Sequence, residues 1–180
     1  MSRAPAYRSG ALSMRQISLN LPLDDRQISD LAMGDKILLS GEIYSARDQA
    51  HKRLIQILNN HQPMPIDLAK TAIFYCGPSP RRPGQICGAI GPTTSYRMDA
   101  LTEPLLHEGL KVMIGKGERS PEIGKLIREY GAVYLTTFGG ISAVLSRCIV
   151  SCETFLWPEL GAEAVYRMVV DKLPCYVAIK

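Results

Sequence analysis

The stretch from Lys111 to Cys148, KVMIGKGERSPEIGKLIREYGAVYLTTFGGISAVLSRC, decides the fold. Lys111 to Ile114 is a short apolar run of strand length, and Gly115-Lys116-Gly117 behind it reads as a tight loop. Ser120-Pro121-Glu122 then opens a helix. A serine there can accept a free backbone N–H, and proline suits the first helical position, where its missing N–H costs nothing. The helix is expected to reach Tyr130 and to stop at Gly131. Ala132 to Phe138 repeats the strand, Gly139-Gly140 the turn, and Ile141 to Cys148 the helix. Strand and helix in alternation call for an α/β layer in which helices cover a sheet.

Upstream the same grammar continues. Leu31, Met33, Gly34 and Asp35 read as a turn feeding a strand from Lys36 to Tyr44. Ser45 has Asp48 three residues on, a capping-box spacing, so a helix is expected through about Leu58. Ala46, Ala50, Leu54 and Ile57 form its apolar stripe, with Arg47 and His51 on a different face. Pro63 and Pro65 break the chain, Thr71 to Cys76 is a strand, and residues 77–84 are a loop. A weaker strand is expected from Ile86 to Ile90. Gly91-Pro92-Thr93-Thr94 turns into a helix carrying Met98, Leu101 and Leu105, kinked or restarted at Pro104 and ended by Gly109. Downstream, Glu153 to Trp157, Val165 to Val170 and Cys175 to Ile179 are further strand candidates. Together these predict one mixed α/β domain over residues 16–180, with residues 1–15 a disordered tail.

A chain of 180 residues is long enough to bury a substantial core. Its 46% hydrophobic and 21% charged residues exclude a disordered or fibrous protein. The net charge of +4 owes three units to Arg3, Arg8 and Arg15, so residues 16–180 are close to neutral and nucleic acid is not an expected partner. No apolar run approaches the roughly 18 residues of a membrane span. With no secretory leader evident, a cytoplasmic protein is expected. The five cysteines are odd in number and lack a C-x-x-C, which favours reduced, buried thiols over a disulfide framework or a metal site. Cys148 and Cys152, four apart, could share a helix face.

Chemistry concentrates at three loop-to-helix corners: Ser45-Ala46-Arg47-Asp48, Gly91 to Arg97, and Gly115 to Ser120. A helix start offers free N–H groups to an anion, and an arginine adds a fork that matches a carboxylate. Thr93 and Thr94 lie four and three residues before Arg97, same-face spacing on a helix. Each corner also has an ordinary reading, as cap, turn or solvated cation. A small di-acid or a phosphate would fit. The phosphate-loop pattern, the G-x-S-x-G elbow and a metal-binding histidine pair are all missing from the sequence, so the catalytic kit is incomplete.

At these corners Gly91-Pro92-Thr93-Thr94-Ser95-Tyr96-Arg97-Met98-Asp99 resembles the signature of the iron–sulfur-dependent class I fumarases and L-tartrate dehydratases. The likeness is to their C-terminal domain, a separate β subunit in two-chain versions. Residues 40–53, Lys116-Gly117-Glu118-Arg119-Ser120, Gly139-Gly140 with Ala143-Val144-Leu145, and Trp157 to Ala164 agree in order.

The resemblance implies a single swivelling β/β/α-type domain with a mixed sheet. It implies an α-subunit partner, in an α2β2 assembly, that carries a 4Fe-4S cluster on its own cysteines; the chain in isolation could form a homodimer. The implied reaction is reversible hydration of fumarate to L-malate. L-tartrate dehydration, a methylated fumarate such as mesaconate, and a non-catalytic anion-binding docking module are the alternatives. By the same resemblance Arg47, Arg97 and Lys116 bind carboxylate, Thr93 holds substrate, Thr94 is the catalytic hydroxyl, and this chain supplies no metal ligand. His51 is a weaker candidate for the site, since one turn from Arg47 its ordinary role is to support that side chain.

Overall fold

The computed structural model describes residues 15–138, 140 and 142–180. Seven strands form one mixed sheet: β1 (Gln16–Asn20), β2 (Lys36–Ser45), β3 (Ala72–Phe74), β4 (Val112–Gly115), β5 (Val133–Thr136), β6 (Ile149–Leu156) and β7 (Val165–Ile179). The order is β1-β2-β3-β4-β5-β7-β6, and β7 also pairs with β2. That extra pairing closes the sheet into a small barrel. β1 through β5 are mutually parallel where they pair, and β7 runs antiparallel to β2, β5 and β6.

The helices are α1 (Asp25–Ser29), α2 (Asp48–Asn59), α3 (Asp99–His107), α4 (Pro121–Glu129) and α5 (Ser142–Arg147). The middle strands read as unbroken apolar runs because both of their faces are covered. Ala72, Phe74, Val112, Ile114, Val133 and Leu135 face one core with Ile37, Leu39 and Leu173. Their neighbours Ile73, Tyr75, Met113 and Tyr134 face a second core, made with Ala50 and Leu54 of α2, Leu105 and Leu106 of α3, and Ile123 and Ile127 of α4.

The strands and helices expected between Lys111 and Arg147 are present, with Gly139 and Ile141 outside the described residues, and Ser120 caps α4 by accepting from the Ile123 N–H, 3.3 Å. Other expectations need correction. Ser45 does not cap α2. It ends β2, where its hydroxyl accepts the Tyr166 N–H (2.9 Å), and Arg47 takes the cap position with no side-chain bond. Residues 86–90 are not a strand. Two of their N–H groups go to side chains, Ala89 to Ser79 Oγ (2.9 Å) and Ile90 to Ser146 Oγ (3.0 Å). Pro104 does not restart its helix but sits inside α3; the break comes earlier, where a 3-10 turn over Ser95–Met98 passes into α3.

The two strands expected after residue 165 are one, β7, bent at Lys172, whose φ is 53°. β1 and α1 were not foreseen, although Asp24 and Gln27 form a reciprocal capping box at α1. Cys148 and Cys152 share no helix, because the first follows α5 and the second lies in β6. The expected tail falls outside the described residues up to position 14. Arg15 is fastened, its guanidinium paired with Asp35 and its carbonyl accepting the Lys36 N–H, 2.9 Å. No helix among the described residues is long and apolar enough to cross a membrane.

Candidate active site

In parallel α/β sheets, ligands gather beyond the carboxyl ends of the strands. Here β2, β3 and β4 end in register, with Ser45 beside Phe74 and Phe74 beside Ile114. Arg47 lies two residues past the end of β2, and Lys116 one residue past β4. The segment leaving β3 returns through an isolated Cys76–Pro92 bridge and delivers Thr93 and Thr94 between them.

The three corners therefore meet. Thr93 is fixed by its N–H to the Tyr75 carbonyl, 2.7 Å, and its hydroxyl accepts from Arg97 Nη2, 2.6 Å. The same Arg97 nitrogen is 3.5 Å from Asp48 Oδ2 at the start of α2. Thr94 bridges Lys116, with Ser95 N–H donating to the Lys116 carbonyl (2.9 Å) and Lys116 N–H to Ser95 Oγ (3.0 Å). Thr94 is exposed and Thr93 half-buried.

Arg47 is one-quarter exposed, with Nη2 3.5 Å from Glu163 Oε1, and its Nε is buried without a partner. Gly77 packs flush against it. A Cβ at Gly77 would lie 3.1 Å from Arg47 Cδ and 2.2 Å from the Ala162 carbonyl oxygen, so only glycine lets the loop pass there. All five expected residues thus lie on one edge of the sheet, and each arginine has a carboxylate beside it. Asp48 and Glu163 were not singled out as site residues. Asp48 reads locally as a cap residue, and Glu163 is too distant in sequence for spacing to reveal it.

Beneath this edge lies a second group that sequence reasoning missed. The Tyr134 hydroxyl is 2.9 Å from Ser95 Oγ and 2.8 Å from the Gly117 carbonyl. The fully buried Arg119 guanidinium stacks over the Tyr75 and Tyr134 rings and pairs with Asp99. Gly115 permits this packing, since a Cβ there would meet Ser95 Oγ at 1.9 Å.

His51 supports the Arg47 backbone rather than its side chain. Its Nδ1 is 2.9 Å from the Arg47 carbonyl, its ring stands edge-on to Tyr75, and Nε2 is buried without a partner. Burial, aided by the nearby Arg119 charge, pushes its pKa down to about 4 from the usual 6.5. Between those two values the unfolded chain binds a proton at this imidazole and the folded chain does not. Stability is therefore expected to fall as pH drops from about 6.5 to 4, by up to about 3 kcal/mol. Urea unfolding at pH 7 and pH 4.5 checks this, and the pH-dependent loss should shrink in His51→Gln.

Among the described residues no group of three or more His, Cys, Asp or Glu could hold a metal ion, and all five cysteines are free. The residues present do not fit an iron–sulfur cluster.

The model of the family described as "Fumarase C-terminus" matches residues 2–180. The chain belongs to that family. It is 32% identical to fumarate hydratase 2 of Leishmania major over 168 residues, which is 91% of this chain and 30% of that protein. The aerobic class I fumarate hydratase of Escherichia coli K12 is likewise 32% identical, over 91% of this chain and 31% of its own length. The L(+)-tartrate dehydratase subunit beta of E. coli K12 is 31% identical over 146 residues, 79% of this chain and 71% of that protein. The chain thus spans about a third of the fumarate hydratases it matches and most of the tartrate dehydratase subunit.

Proposed function

We propose that this chain is the β subunit of a two-subunit hydro-lyase that reversibly hydrates fumarate to L-malate. The observation that carries the reading is the meeting of Arg47, Arg97 and Lys116 with Thr93 and Thr94 at the carboxyl ends of three parallel strands. Removing a proton beside a carboxylate builds charge on that carboxylate, and fixed cations aimed at it lower the barrier. Arg97 and Arg47 supply planar forks and Lys116 a point charge. Asp48 and Glu163 hold the arginines in place until a substrate carboxylate takes over.

The proton-transfer role belongs to a threonine hydroxyl. Thr94 is the assignment by resemblance, with Thr93 binding substrate. A second assignment exchanges them, and one contact favours it: the Arg97 guanidinium donates to the Thr93 hydroxyl and so stabilises its alkoxide. In the reconstituted enzyme, Thr93→Val and Thr94→Val separate the two. The variant that removes the proton-transfer group loses roughly 10²–10⁴-fold in kcat, and the other mainly raises KM.

The rest of the reading is proposed from the family likeness. Residues 16–180 form one swivelling β/β/α-type domain, acting in the cytoplasm, where five free cysteines fit a reducing milieu. The 4Fe-4S cluster belongs to the α subunit of an α2β2 assembly, where an open iron would supply Lewis-acid chemistry at the substrate hydroxyl. L-tartrate is the alternative substrate, supported by the 71% coverage of the tartrate dehydratase subunit. The deciding experiment is anaerobic loss of fumarate absorbance, for this chain alone and with its iron–sulfur partner subunit. Turnover only in the mixture supports the reading. Turnover of L-tartrate alone changes the substrate. A stable but inactive complex leaves a docking module.

A further inference from the structure

The loop over residues 77–92, which starts against Arg47 and ends at Thr93, carries Cys87. Edge strand β6 carries Cys152. The two sulfurs are 2.9 Å apart, although the residues are 65 positions apart in sequence. We propose that Cys87 and Cys152 form a reversible dithiol–disulfide site that responds to hydroperoxides and, when oxidised, ties this loop to β6.

Three features support the site. First, the sulfurs need to approach by only about 0.9 Å from their 2.9 Å contact to reach bonding distance. Cys87 lies in a stretch of turns and bends rather than in the strand ladder, so the loop can supply that movement.

Second, both cysteines line a cavity of about 530 Å³, with Ser79, Arg81 and Tyr166 on its walls, which gives a small oxidant a way in. Glu153 lies on the same wall, and its carboxylate faces Arg167 at 3.6 Å. Third, the pair is electronically unequal. The contact with Cys152, the Gly88 backbone and the Arg81 charge hold the Cys87 thiol below its ordinary range, while the same contact pushes Cys152 up. A thiolate attacks peroxide and a thiol does not.

The other cysteines lack this combination. Cys76 and Cys175 are fully buried, and burial raises both thiols well above their ordinary range. The Cys148 sulfur lies against the Val144 and Lys172 carbonyls, 3.8 and 3.9 Å away.

The chemistry balances with hydrogen peroxide as oxidant. The Cys87 thiolate attacks one peroxide oxygen, the O–O bond breaks, and Cys87 sulfenic acid forms with hydroxide leaving. The Cys152 sulfur then attacks the Cys87 sulfur, the S–O bond breaks, and the sulfenic OH leaves as water with the Cys152 proton; the proton Cys87 released on ionising neutralises the first hydroxide. Two thiols and one peroxide give one disulfide and two waters. A dithiol reductant reverses the step. The site is independent of which dicarboxylate the sheet edge binds, and its test needs no partner.

The full chain, treated with one equivalent of hydrogen peroxide, is expected to lose two free thiols and two hydrogens in mass. Non-reducing peptide mapping should show one linked pair, Cys87 with Cys152, that dithiothreitol dissolves. In Cys152→Ser, dimedone should label Cys87 as its sulfenic acid. A bond between any other pair, a bridge between two chains, or direct passage to sulfinic acid without a bridge would overturn the proposal. The wild-type map decides the matter even if the variant folds poorly.

Discussion

Replacing Arg97 with alanine should lower kcat/KM of the reconstituted enzyme by roughly 10²–10³-fold, the loss typical when one fixed donor to a developing anion is removed. The fold should barely notice. The Arg97 side chain is about half exposed, and its contacts are the Thr93 hydroxyl and an ion pair with Asp48 at 3.5 Å. Such surface pairs contribute about 0–1 kcal/mol. Activity and thermal stability are therefore expected to separate, with a large loss in the first and little change in the second. Arg97→Lys keeps the charge but not the two-pronged geometry, and should recover part of the rate. Lys70→Ala, which removes an exposed cation paired with Asp67 far from the sheet edge, serves as the control. If Arg97→Ala and Lys70→Ala behave alike in the anaerobic assay, Arg97 is a solvated surface residue and the carboxylate-binding role is lost.

What made Arg97 findable in the sequence is the same local logic that made α4 findable. A cap, a proline at the first helical turn and a terminating glycine are interactions between near neighbours, and they leave a readable pattern at 120–131. The four-residue spacing of Thr93 and Arg97 is local too, but Thr93 precedes the 3-10 turn at Ser95–Met98 and shares no helix face with Arg97; the 2.6 Å hydroxyl–guanidinium contact forms across the turn's start. The meeting of Thr94 with Lys116 is not local. It depends on β3 and β4 lying side by side, which no spacing announces. The family likeness named Thr94 and Lys116 as site residues but not their pairing.

The errors have the same origin. Ser45 has the composition of a cap, but β2 runs through it to collect the Tyr166 N–H from 121 residues away, and the strand pairing prevails over the local preference. Pro174 and Lys172 look like a break between two strands. Yet β2 supplies partners on both sides of them, Val170 opposite Gly41 and Leu173 opposite Leu39, so β7 continues through its bend. Strand β1 was overlooked although Ile17 and Leu19 alternate with polar neighbours, and of its five residues only Leu19 is buried. The barrel closure by β2 and β7 is a pairing between distant segments, and nothing in the spacing of either points to it.

Arg119 is the residue whose importance the sequence hid most completely, and Arg119→Met should be the most destabilising of these substitutions. Its guanidinium donates to Thr102 Oγ1 at 2.6 Å, approaches the Tyr75 hydroxyl at 3.3 Å and pairs with Asp99, whose other oxygen accepts the Ser120 N–H at 2.7 Å. Burial works against the guanidinium charge, but the Tyr75 hydroxyl and Asp99 outweigh it and hold the arginine protonated. Methionine fills much of the volume but leaves the Asp99 carboxylate largely buried and unpaired. Breaking a buried pair from one side costs about 3–5 kcal/mol. For a chain of this size that lowers Tm by roughly 10 °C.

Neutralising both partners, in Arg119→Met with Asp99→Asn, should recover a large part of the loss, because the cost lies in the stranded charge rather than in the missing attraction. Activity should fall too, since Arg119 stacks on Tyr134, whose hydroxyl braces Ser95 and the Gly117 carbonyl beneath Lys116. Thermal and urea unfolding of the three proteins reads the stability, and KM against kcat reads the site. A single variant that loses less than about 1 kcal/mol, within the range of an exposed pair, would show that Asp99 finds water or another donor and that the corner at Lys116 stands without this brace.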